Sequence, residues 1–76
     1  MTKLPIVSGK KVVKCLTKVG FYIRRQTGSH IILRRDHPDF AQVVVPNHKR
    51  IDPGTLLSIL KGADLTKKDF MDLLKK

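Results

Sequence analysis

Helical and strand periodicities alternate along the chain, and their order predicts its fold. Ser8 stands where a helix N-cap belongs and Gly20 where a helix stops. Between them Val12, Val13, Leu16 and Val19 share one side of a helix at 100° per residue, with Cys15 at the edge of that stripe. Lys10, Lys11, Lys14 and Lys18 fall on the opposite side, within about 100° of arc. Phe21 to Thr27 is rich in β-formers. Gly28 then turns the chain into Ser29 to Arg35, which predicts a β-hairpin with a short glycine-containing connection. Period two puts Phe21, Ile23 and Arg25 on one face of the first strand and Tyr22, Arg24 and Gln26 on the other. On the second strand His30, Ile32 and Arg34 share a face, and Ser29, Ile31, Leu33 and Arg35 share the opposite one.

Pro38 and two aspartates break the apolar pattern between Asp36 and Phe40, so this stretch is a turn. Gln42 to Val45 is a third strand, ended by Pro46. The loop Asn47-His48-Lys49-Arg50 leads to a second helix with Asp52 as N-cap, Pro53 as its first residue and Gly62 at its end. Leu56, Leu57, Ile59 and Leu60 form its inner side. A last helix starts at Thr66, where Thr66-x-x-Asp69 is a capping box and Leu65 and Phe70 have staple spacing. The order α-β-β-β-α-α predicts an α+β fold with a three-stranded antiparallel sheet. Its helices should lie on one face, because so short a chain cannot cover both. Residues 1–76 are expected to form a single domain.

Composition narrows the class. At 76 residues the chain buries roughly 60–65% of its unfolded surface, so its core is small. A hydrophobic content of 41% is too high for a disordered tail. No run approaches the roughly 18 apolar residues of a membrane span, so no membrane partner is expected. The opening Met1-Thr2-Lys3-Leu4-Pro5 lacks the apolar stretch of a signal peptide, and the single Cys15 has no partner for an internal disulfide. Both features point to the cytoplasm. Charge changes the picture most. Residues 1–35 hold nine Lys or Arg and no acidic residue, whereas residues 36–76 hold seven basic and six acidic ones. Nearly all of the net +10 therefore lies in the first half. Solubility alone does not demand so one-sided a distribution; a polyphosphate partner does.

Several short motifs carry a resemblance. They are Leu4-Pro5, Ser8-Gly9-Lys10, Leu16 through Gly20-Phe21, Gly28-Ser29-His30, Val45-Pro46-Asn47-His48-Lys49, Pro53-Gly54-Thr55-Leu56 and Ile59-Leu60. In this order and spacing they strongly resemble the HicA family of bacterial and archaeal toxins, over almost the whole chain. The resemblance implies a fold like the double-stranded-RNA-binding domain, with the last helix outside the basic pattern. It also implies a type II toxin that cleaves mRNA as an endoribonuclease and is neutralised by a HicB-type antitoxin. The histidine of the Gly-Ser-His motif, here His30, is then the catalytic residue. Such a toxin is expected to be monomeric when free and hetero-oligomeric with its antitoxin. Two other classes fit the residues: a non-catalytic RNA-binding module, and a DNA-binding or assembly partner whose basic face serves complex formation.

Metal-free RNA cleavage needs a base for the 2′-OH proton, an acid for the leaving 5′-oxygen, and positive charge for the phosphorane. His30 can supply either proton transfer near neutral pH. Equally, it can be a strand residue hydrogen-bonded near its turn. Ser29 can bind phosphate or the turn backbone. Gly28 supplies a positive φ or lets an RNA backbone approach. His48 precedes the second helix and can be a second proton carrier, a phosphate contact or a solvated loop residue. His37, beside Asp36 and Asp39, is assigned no chemistry. RNA contacts are expected from Lys10, Lys11, Lys14, Arg24, Arg25, Arg34, Lys49 and Arg50. Arg24, Arg25, Arg34 and Arg35 repel one another across paired strands unless RNA or an acidic antitoxin neutralises them. With dispersed histidines, one cysteine and no glutamate, neither a metal site nor a cofactor is expected. Cys15 reads as core rather than nucleophile.

Overall fold

The computed structural model describes residues 4–75. Met1-Thr2-Lys3, part of the segment read above as lacking a leader stretch, lies outside the described residues. The elements are α1 (Gly9–Thr17), β1 (Tyr22–Thr27), β2 (His30–Arg35), β3 (Ala41–Pro46), α2 (Pro53–Gly62) and α3 (Lys67–Lys75). This is the predicted α-β-β-β-α-α order. The three strands form one antiparallel sheet in the order β1-β2-β3.

The helices begin where the sequence says they should. Ser8 accepts a hydrogen bond from the Lys11 amide at 3.1 Å, and Asp52 accepts from the Thr55 amide at 3.1 Å and the Thr55 hydroxyl at 2.7 Å. Thr66 and Asp69 close a reciprocal capping box, each bond 3.0 Å. Those bonds hold the Asp52 and Asp69 carboxyls below the ordinary carboxylate range, because they favour the charged acceptor. The first helix stops earlier than predicted, at Thr17. Gly20, with φ +97°, completes the reversal after it, and the Phe21 amide bonds back to the Leu16 carbonyl at 3.2 Å.

Ile31 and Leu33 of β2 and Val43 and Val45 of β3 alternate inward and join Val12, Cys15, Leu16, Leu56, Ile59, Leu60, Phe70 and Leu73 in one core. Cys15 is thus central to the α1 stripe, while Val13 and Val19 pack at its margin. Burial pushes the Cys15 thiol pKa up, against the pull of Lys18, Lys11 and Lys14. α1 and α2 pack on β3, and α3 packs on α1 and α2. All helices therefore lie over one face of the sheet, and β1 is a rim strand with six consecutive exposed residues.

Period two fails in β1. Ile23 pairs with Leu33, but Arg25 pairs with Ile32, so Arg24 is an extra residue and the strand carries a β-bulge. Beyond it the faces reverse. Arg25 shares the open face with Ile32, and Gln26 shares the helix face with Ile31, opposite to the alternation read from the sequence. The bulge and its arginines also blunt an edge that could otherwise pair with another chain.

Candidate functional site

Gly28 and Ser29 form the turn between β1 and β2, and Thr27 and His30 are the pair that flanks it. Gly28 comes first in the turn with φ +53°, the glycine-first pattern that matches strand twist in tight hairpins. A Cβ at Gly28 would meet nothing within 4 Å, so its surroundings are open to a ligand. His30 opens the central strand, paired with Thr27 on one side and Pro46 on the other, and is exposed. Because Ile31 and Leu33 point into the core, His30, Ile32 and Arg34 face away from the helices.

Three cross-strand rows make up this open face. Thr27, His30 and Pro46 form the first, Arg25, Ile32 and Val44 the second, and Tyr22, Arg34 and Gln42 the third. Arg25 is a diagonal neighbour of His30. Such pairs lie about 7–8 Å apart at their bases, within reach of one phosphate for side chains this long. The bulge thus brings a cation beside the histidine that alternation would have sent to the other face.

The remaining basic residues divide. The Arg34 guanidinium sits 5.1 Å from the ring centre of Phe40, and its Nε is buried with no hydrogen-bond partner. Phe40, 63% exposed, was not singled out in the sequence, where an aromatic inside a turn carries no periodic signal. Arg35 is committed internally: it is buried, lies 5.1 Å from the Phe21 ring centre and donates from Nε to the Asp39 carbonyl at 3.2 Å. The repulsion expected of Arg35 is therefore relieved within the protein. Lys10, Lys11 and Lys14 are exposed on α1, but Lys18 donates to the Leu73 carbonyl of α3 at 3.1 Å. Tyr22 donates to Asp36 at 2.8 Å, which pushes its phenol pKa up.

His48 belongs to a different place. With Ser8, Lys10, Asn47 and Lys49 it lines a cleft of about 270 Å³ beside the start of α1, and His30 is not among the lining residues. The exposed Arg50 follows in the same loop. One backbone bond ties the two regions together, from the Asn47 amide to the Ser29 carbonyl at 2.6 Å. Asn47, read in the sequence as a loop residue within the Val45 to Lys49 motif, is therefore a tether. Among the described residues no three His, Cys, Asp or Glu side chains gather as a metal site requires. Nor is any described helix long and apolar enough to cross a membrane.

Residues 9–65 match the family described as the HicA toxin of bacterial toxin–antitoxin. The chain belongs to the HicA toxin family. The match runs from α1 to just past α2 and includes every candidate site residue named above except Ser8, which directly precedes it. It leaves α3 outside, although Phe70 and Leu73 of α3 fill the same core. Membership in the HicA family implies an antitoxin as partner. No curated protein matches the chain.

Proposed function

We propose that this HicA-family toxin is a metal-independent endoribonuclease that cleaves mRNA in the cytoplasm, with His30 as its proton-transfer residue. The observation that carries this reading is the diagonal placement of Arg25, on the bulged strand, beside an exposed imidazole, next to a turn whose glycine leaves room for a nucleic-acid backbone. The 2′-OH of the substrate is the nucleophile, so the protein need not supply one. The 2′-oxygen bonds to phosphorus as the bond to the 5′-oxygen breaks. His30 takes the 2′-OH proton or gives one to the departing oxygen, and water makes the other transfer. Arg25 offsets the charge that builds on the phosphorane. Arg24, Arg34, Lys10, Lys11, Lys14, Lys49 and Arg50 hold the chain of phosphates, and Gly28 and Ser29 shape the approach. A HicB-type antitoxin covers the open face in a hetero-oligomer, which silences a toxin that is monomeric when free.

The test is cleavage of mRNA by wild type and His30→Ala in the presence of EDTA. Wild type should cleave, and the variant should be slower by on the order of 10²–10⁴-fold. Equal rates would remove His30 from the reaction. Activity lost on adding EDTA would end the metal-independent reading. RNA binding without cleavage by either protein would return the chain to a non-catalytic RNA-binding module.

A further inference from the structure

The cleft that holds His48 is built as a site in its own right. Its five lining residues, Ser8, Lys10, Asn47, His48 and Lys49, include two ammonium groups and no carboxylate. Each offers at least one polar hydrogen. The Ser8 oxygen already accepts from Lys11, which leaves its own hydroxyl hydrogen free to donate. The walls are fixed by backbone. The Gly9 amide donates to the His48 carbonyl at 2.8 Å, so the contacts left for a ligand are mainly side chains rather than that helix amide. Gly9 is itself buried, and a Cβ there would overlap the Pro46 carbonyl oxygen, so the helix start is pressed against the end of β3. A volume of about 270 Å³ lies just below the roughly 300–1,000 Å³ of small-ligand clefts, a size suited to one phosphate with its sugar.

Position decides what the cleft does. The Asn47–Ser29 bond joins it to the turn before His30 at the same end of the sheet. His30 faces the open side, whereas the cleft lies by α1, on the helix side. A strand of RNA crossing the end of the sheet would meet both. We infer that the Ser8, Lys10, Asn47, His48 and Lys49 cleft binds an RNA phosphate that flanks the scissile one, and that His48 is a binding residue and not a second proton carrier. The RNA identity of the ligand rests on the endoribonuclease reading; the anion cleft stands on its own geometry.

Two measurements on the full chain test this. The first is an NMR titration with inorganic phosphate and with a 2′-O-methyl tetranucleotide, which cannot be cleaved because its nucleophile is blocked. Both ligands should give saturable shifts at Lys10, Asn47 and His48. Lys10→Ala/Lys49→Ala should weaken tetranucleotide binding by about tenfold, the loss of about 1.4 kcal/mol. The second is steady-state cleavage. The double variant and His48→Ala should raise KM several-fold while kcat and the shape of its pH profile are retained. Shifts absent from the cleft would overturn the inference. So would a kcat profile that loses one limb in His48→Ala, since that marks a proton carrier. If the double variant instead lost affinity for the antitoxin with KM for RNA unchanged, the cleft would be a protein contact and the inference would fall. Saturable phosphate binding by a wild-type chain that cleaves no RNA would sink the endoribonuclease reading and the flanking-phosphate role with it, leaving an anion cleft.

Discussion

At the scale of single residues, identity and environment part company among the arginines. Arg34 and Arg35 are neighbours of the same type in the same strand. One faces the open side against an exposed Phe40, and the other is buried against Phe21 with its Nε on the Asp39 carbonyl. Period two assigned them to opposite faces; only the fold shows that the inward one has partners. Gly9 is the residue whose size matters most. A methyl there would overlap the Pro46 carbonyl, and backbone on both sides leaves little room to give. Gly9→Ala should cost about 1–3 kcal/mol of stability in urea unfolding. A variant as stable as wild type would show that the α1–β3 junction is looser than its geometry says. The sequence marked Gly9 within Ser8-Gly9-Lys10, yet no local pattern could say that its partner lies 37 positions downstream.

Elements add a second layer, in which caps are local and pairing is not. Ser8, Asp52 and the Thr66–Asp69 box were legible because an N-cap satisfies amides two or three residues away. The bulge at Arg24 was illegible, because an extra residue in a strand is visible only against its partner. Its effect reaches the candidate site, since it puts Arg25 on the face of His30. Deleting Arg24 should restore strict alternation and leave Arg25 opposite Ile32, on the face of His30. Cleavage should then persist, weakened only by the loss of one phosphate contact, whereas Arg25→Ala should slow it by on the order of 10²-fold while circular dichroism keeps its wild-type form. Full activity in Arg25→Ala would show that Arg25 does not assist His30.

For the whole molecule, one core holds three helices against half of a sheet, and α3 is part of it although the family match ends before α3 begins. Phe70 is fully buried, so Phe70→Ala should cost about 3–5 kcal/mol, measured by urea unfolding. Stability should form a plateau around neutral pH. Asp52 and Asp69 have lowered pKa values when folded, so their contribution is present above the unfolded value of about 3.9 and is lost as pH falls through the folded values. Cys15 has a raised pKa, so its contribution is present below the unfolded value of about 8.5 and is lost as pH rises toward the folded one. Thermal melts across pH should show both limbs, and Cys15→Ala should flatten the alkaline one. By itself, the sequence determined what depends on near neighbours: element order, caps, the hairpin turn, the apolar stripes, and the concentration of positive charge in the first half. Only the tertiary structure decided which basic groups remain available, that Arg25 and not Gln26 accompanies His30, and that His48 lies in a cleft apart from it. Those outcomes depend on register and on contacts between distant segments, which no local periodicity encodes.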